Sequence, residues 1–192
     1  MPKLGITKEE MMDLLLRGFL AGLIGTVFMN LSSETEMHLR GRQPSVVPGR
    51  AANKMLSIVG VPQLEGAALK VLSTWTHYLY GAAWGVVLWV LLSTLELPIA
   101  AALPLFFVIV WGTEQIELPA LGLTPPSWKW GAKEVAIDLG HHVVFAIGSV
   151  VGWVLLGSVL TVRTATSLEN GMARSTEPFI SHVGRETGDQ QT

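Results

Sequence analysis

The sequence has no cysteine and few charged residues, and each shortage excludes a class of protein. Without cysteine, the 192 residues form no disulfide, no thiolate metal site and no cysteine nucleophile. Charged residues make up 15% of the chain, against about 25% in ordinary soluble domains. The 13 Lys and Arg do not outnumber the 15 Asp and Glu, so we expect no nucleic-acid partner. Because 49% of the residues are hydrophobic, the composition predicts an integral membrane protein.

Short catalytic motifs are also missing. The chain has no G-x-S-x-G nucleophile elbow, no P-loop, no H-E-x-x-H helix and no dinucleotide-binding fingerprint. The sequence therefore leaves open whether the protein is an enzyme, and names no reaction.

Four apolar runs approach or exceed the length that a membrane-spanning helix needs, which is about 20 residues. They cover residues 14–33, 71–95, 98–118 and 139–162. The second and third are separated only by Glu96 and Leu97, which indicates a tight helical hairpin. These runs predict an all-α fold, which is an integral membrane four-helix bundle over residues 1–163. The predicted partner of this bundle is the lipid bilayer.

Two further segments complete the predicted architecture. Residues 48–59 place Ala51, Met55, Ile58 and Val59 opposite Arg50, Asn53 and Lys54, a pattern typical of a short amphipathic helix lying in the membrane interface. Residues 164–192 are rich in Ser, Thr, Gly, Glu and Gln, and we expect a disordered polar tail there.

Three pairs of glycines are spaced four residues apart within the apolar runs. Small residues at this spacing allow membrane helices to approach closely. We expect the pairs to line helix contacts inside one bundle rather than a dimer interface. The pairs are Gly18 with Gly22, Gly81 with Gly85, and Gly148 with Gly152.

Polar residues of the four runs gather in one half of the membrane when the runs are threaded up and down. Ionisable groups at membrane depth are costly and normally face the interior of the bundle. Helical spacing places several of them on shared faces. The predicted polar cluster consists of Glu34, His77, Glu114, Glu117, Asp138, His141 and His142.

Carboxylates and imidazoles on several helices are the ligands of bundle metal sites. One hypothesis is therefore a site for a divalent metal, a proton or another ion, with an enzyme built on a bundle metal as its least favoured form. The alternative is an accessory or assembly subunit that packs against other membrane-protein subunits, in which salt bridges to Arg40, Lys129 or Lys133 make the cluster purely structural. The candidate metal ligands are His77, Glu114, Glu117, Asp138 and His141.

Several short motifs resemble the YagU-like family of small bacterial inner-membrane proteins. They are Thr76-His77, the run at residues 118–126 (LPALGLTPP) and Gly140-His141, together with Ala21-Gly22, the acidic Glu34 and the Arg-x-Pro-Ser at residues 42–45. The chain departs from the pattern at the second histidine, His142. The resemblance implies a multi-pass protein of the bacterial inner membrane, and it implies no particular activity.

Overall fold

The structure, a computed structural model, describes residues 7–158, and over this range the chain is helical without any strand. The five α-helices are α1 (Lys8–Arg40), α2 (Val47–Ile58), α3 (Gly66–Trp89), α4 (Ile99–Ala120) and α5 (Ala132–Ser158). The all-α prediction is therefore confirmed for this range. The predicted polar tail, residues 164–192, lies outside the described residues.

Three of the helices within residues 7–158 are long and apolar enough to cross a membrane, namely α1, α4 and α5. Helix α3, which covers most of the second predicted span, is not among them. Its sequence mixes apolar residues with Lys70, His77, two tyrosines and several Ser, Thr and Gly, and these lower its hydropathy.

The helix ends follow from local signals in the sequence. Helix α1 begins in a capping box, in which the Glu10 amide donates to Thr7 Oγ1 (3.2 Å) and the Thr7 amide donates to Glu10 Oε2 (2.8 Å). It ends at Gly41, whose φ of 64° lies in the left-handed region. Helix α3 continues into a π-helical turn, Val90–Thr94, and Glu96 (φ 51°) then reverses the chain into α4. The predicted tight hairpin is confirmed.

Glycines bring α1 into close contact with α3. A Cβ at Gly18 would lie 2.7 Å from the Gly85 carbonyl oxygen, and a Cβ at Gly22 would lie 2.8 Å from the Gly85 amide nitrogen. Only glycine permits this backbone separation. The α1 and α3 glycine pairs therefore line an intrachain contact, as predicted.

Helix α5 also packs against α1. A Cβ at Gly148 would lie 2.9 Å from Phe28 Cβ. Arg17 donates from Nε (2.8 Å) and Nη2 (2.6 Å) to the Trp153 carbonyl, and its guanidinium lies 3.9 Å from the centre of the Trp153 ring. The charge of Arg17 is therefore held between two helices.

Two further contacts bring α4 and α2 into the fold. Phe106 of α4 contacts Phe145 of α5, with ring centroids 5.8 Å apart. The side-chain amide of Asn53 in α2 donates from Nδ2 to the Leu64 carbonyl (2.8 Å), and its Oδ1 accepts from the Leu64 backbone amide (3.1 Å). Helix α2 confirms the predicted short helix. Only 6% of Asn53 is exposed, because its amide supports the turn before α3.

Candidate functional site

Three ionisable side chains from α4 and α5 converge at one place, and we call them the Glu–Asp–His cluster: Glu114, Asp138 and His142. Asp138 and His142 lie one turn apart on α5, so both project from the same face of that helix. His142 Nε2 lies 2.5 Å from Glu114 Oε2 across the contact with α4. One potential ligand atom from each residue lies within 4.8 Å of the other two.

The His142 imidazole is held in one orientation by the backbone. Its Nδ1 lies 2.8 Å from the Asp138 carbonyl oxygen, and since a carbonyl only accepts, Nδ1 is the donor. Nε2 is then the nitrogen directed at Glu114. The side chain is buried, with 6% of the residue exposed. Metal-binding histidines show this arrangement, in which a backbone carbonyl fixes one ring nitrogen and leaves the other for the ion.

The Asp138 carboxylate is held by an indole from α4. Trp111 Nε1 donates to Asp138 Oδ2 at 2.8 Å. The Trp111 ring is itself stacked on Phe107, with centroids 6.3 Å apart and planes 7° apart. Asp138 Oδ1 is left 3.8 Å from His142 Nδ1, too far for a hydrogen bond. The indole therefore fixes Oδ2 of Asp138, whereas Oδ1 is not held by it.

Glu114 reaches the cluster through a charge contact rather than a well-aligned hydrogen bond. Its Oε2 is buried and makes no well-aligned hydrogen bond within residues 7–158, although His142 Nε2 is close enough for a charge contact. Such an oxygen is suited to binding a cation.

The structural alternative requires basic side chains that form salt bridges with the cluster. Within the described residues, the candidate side chains do not form them. Arg40 donates to Glu36 Oε1 (2.7 Å) and to both carboxylate oxygens of Glu134 (2.5 and 3.0 Å), which ties the end of α1 to the start of α5. Neither Lys129 nor Lys133 makes an ion pair with the cluster. Among the described residues, the two carboxylates of the cluster therefore have only His142 as a cationic partner.

The structure separates the two adjacent histidines. His141, a predicted metal ligand, faces α1, where its Nδ1 lies 2.9 Å from Ser32 Oγ. Its Nε2 is buried and has no hydrogen-bond partner in the described part of the chain. His142, which the sequence placed outside the candidate metal ligands, belongs to the cluster.

The remaining predicted residues lie around the cluster or away from it. Glu117 accepts a hydrogen bond from the Tyr80 hydroxyl at 2.6 Å. His77 of α3 lies close enough to Glu114 and His142 for their charges to act on it, but it contributes no atom to the group of three. Glu34 is exposed on α1.

Three partner residues escaped the sequence reasoning: Trp111, Tyr80 and Ser32. Two of them carried a signal, because Trp111 lies three residues before Glu114 and Tyr80 lies three residues after His77, which is the spacing of one helix face. Ser32 carried none, since its partner His141 is 109 residues away.

Comparison of the chain with family models, curated proteins and solved structures finds no match. Membership of the YagU-like family stays a prediction.

Proposed function

We propose that the chain is a multi-pass membrane protein in which four helices cross the bilayer: α1, α3 with its π-helical turn, α4 and α5. The length and apolar composition of α1, α4 and α5 support this arrangement. For α3, support comes from the close glycine contact with α1 and from the absence of Asp, Glu, Lys and Arg over residues 71–95. In this arrangement α2 lies in the interface. A bacterial inner membrane is the location that the YagU-like resemblance implies.

We further propose that the Glu–Asp–His cluster binds one divalent metal ion. The observation that carries this proposal is the convergence of His142 Nε2 with the carboxylates of Glu114 and Asp138, two anionic groups without a Lys or Arg partner in the described residues. Ionised side chains in a spanning helix cost about 2.5–3.5 kcal/mol each on insertion scales. A bound cation offsets more of that cost than His142 alone, which is the only cationic partner of the two carboxylates among the described residues.

The donor set fits an ion of the first transition row. One imidazole and two carboxylates, in a chain without thiolates, suit Mn²⁺, Fe²⁺, Co²⁺ or Zn²⁺. Bonds of about 2.0–2.2 Å place two ligand atoms at most about 4.4 Å apart. The present separations, within 4.8 Å, reach that range by small side-chain movements. When bound, such an ion supplies Lewis acidity at a site near one membrane face.

A titration with Co²⁺ tests the proposal, because its visible absorption reports nitrogen and oxygen ligands. The purified protein is expected to bind one equivalent. His142→Ala removes one of three ligands and should abolish this binding. His141→Ala is the matched control, since this neighbouring imidazole contacts Ser32 instead, and it should retain one equivalent.

Two results would contradict metal binding. The first is a wild-type protein that binds no Co²⁺ and contains no Mn, Fe or Zn by elemental analysis. The second is equal loss of binding in His141→Ala and His142→Ala. A metal-free protein that purifies with a larger membrane complex would instead support the accessory-subunit alternative.

A further inference from the structure

Helix α2 has an apolar side that the rest of the described chain does not cover. Gly49 packs on α3, where a Cβ would lie 2.9 Å from Ser73 Cβ, and Asn53 is buried on the same side. Met55 and Ile58 project from the opposite side of the helix and are exposed, Ile58 by 83%. Helix α2 is therefore amphipathic with its apolar side outward.

A loop that follows α4 lies beside α2 and adds an exposed aromatic ring. Lys54 of α2 donates to the Leu121 carbonyl at the end of α4, which holds the following loop against the helix. Within that loop, Trp130 Nε1 donates to the Pro125 carbonyl at 2.7 Å. Trp128 projects outward and is 79% exposed. Tryptophan is typical of the level of lipid headgroups.

The charge of this region is of one sign. Neither α2 nor residues 121–133 contain Asp or Glu. Arg50 and Lys129 are exposed, and within residues 7–158 they make no ion pair or side-chain hydrogen bond. Arg40, in contrast, is paired with acidic side chains. The cations beside the apolar side of α2 are thus available to an anionic partner.

We propose that this region, which we call the α2 surface, binds the headgroups of anionic phospholipids. It consists of Met55, Ile58, Val59, Trp128, Arg50 and Lys129. The apolar side chains enter the boundary between headgroups and acyl chains, about 5–10 Å deep, while Arg50 and Lys129 contact lipid phosphates from its edge. The inference rests on the proposed membrane insertion and is independent of metal binding.

The absence of native cysteine allows a direct test with a single labelled position. Ile58→Cys, labelled with an environment-sensitive fluorophore, is reconstituted in vesicles containing nitroxide-labelled phosphatidylglycerol or nitroxide-labelled phosphatidylcholine. Each cation near an anionic surface favours anionic lipid by about fivefold. Quenching should therefore indicate at least about fivefold preference for phosphatidylglycerol. Arg50→Gln with Lys129→Gln should reduce this ratio to near one.

Two controls separate the alternative outcomes. Lys8→Gln removes a cation from the opposite end of α1 and should leave the ratio unchanged. Val108→Cys places the same label at an exposed position in the middle of α4, where lipid should quench it in either vesicle.

Four results would overturn the inference. Equal quenching of the Ile58→Cys label by both lipids removes the preference for anions. An equal loss of preference in Lys8→Gln makes it a general charge effect. Quenching at Val108→Cys without quenching at Ile58→Cys means that α2 lies away from the bilayer. If neither label is quenched, the proposed membrane insertion itself is wrong, and the inference fails with it.

Discussion

Replacing Trp111 with phenylalanine should weaken metal binding without removing any proposed ligand. The indole of Trp111 donates to Asp138 Oδ2 at 2.8 Å, while its ring stacks on Phe107. Phenylalanine keeps an aromatic ring for the stacking and deletes only the N–H donor. The carboxylate of Asp138 is then free to rotate, so its other oxygen is no longer held towards His142.

The structure sets the size of the effect. A hydrogen bond to a charged group contributes about 1.5–3 kcal/mol, and loss of a residue that orients a metal ligand typically lowers affinity by about 10- to 100-fold. Since tenfold is about 1.4 kcal/mol, the two ranges agree. We therefore expect Trp111→Phe to raise the Kd for Co²⁺ or Mn²⁺ by about 10- to 100-fold at unchanged stoichiometry, measured by competition with a chromophoric chelator.

Trp128→Phe is the matched control, because it makes the same substitution at a ring that is 79% exposed and belongs to the α2 surface rather than to the cluster. Its Kd should equal that of the wild type. If Trp111→Phe also stays within about twofold of the wild type, Asp138 is either not a ligand or is not oriented by the indole. The reasoning that assigns its free oxygen to the metal would then be refuted.

Two further predictions concern the fold. Gly22→Ala should destabilise the protein in detergent by about 1–3 kcal/mol, because the new Cβ would lie 2.8 Å from the Gly85 amide nitrogen and α1 would have to move away from α3. Gly112→Ala, where a Cβ meets no atom within 4 Å, should be neutral or stabilising by up to about 1 kcal/mol; equal unfolding free energies for the two variants would contradict the close contact. A membrane-impermeant maleimide should label Gln43→Cys and Glu96→Cys from opposite sides of the membrane, because α3 separates the two positions. Labelling of both from the same side would show that α3 does not cross the bilayer.

The hydrophobic runs predicted the positions of the long helices better than they predicted the helix ends. The run at residues 14–33 lies inside a helix that extends from Lys8 to Arg40. A run of apolar residues indicates which part of a helix is covered by lipid or protein. The capping residues instead determine where the helical backbone begins and ends. The signals of the caps were present in the sequence, since Thr7 and Glu10 have the spacing of a capping box and Gly41 follows the last helical residue. The π-helical turn Val90–Thr94 has no such signal.

The membership of the cluster depended on the rotation of α5, which the sequence of α5 alone does not determine. Asp138 lies three residues before His141 and four before His142, and both spacings place a pair on one helix face. Periodicity therefore favoured a shared site without distinguishing the two imidazoles. They point about 100° apart on the helix, because each residue turns an α-helix by that angle.

Contacts between residues that are distant in sequence determine which imidazole faces α4. His142 lies three residues before Phe145, which packs on Phe106 of α4, so its ring is turned towards the helix that carries Glu114. His141 lies seven residues before Gly148, which packs on α1, so its ring is turned towards Ser32. Because these contacts join residues that are distant in sequence, the ligand set follows from the packing of α5 between two helices rather than from any local motif.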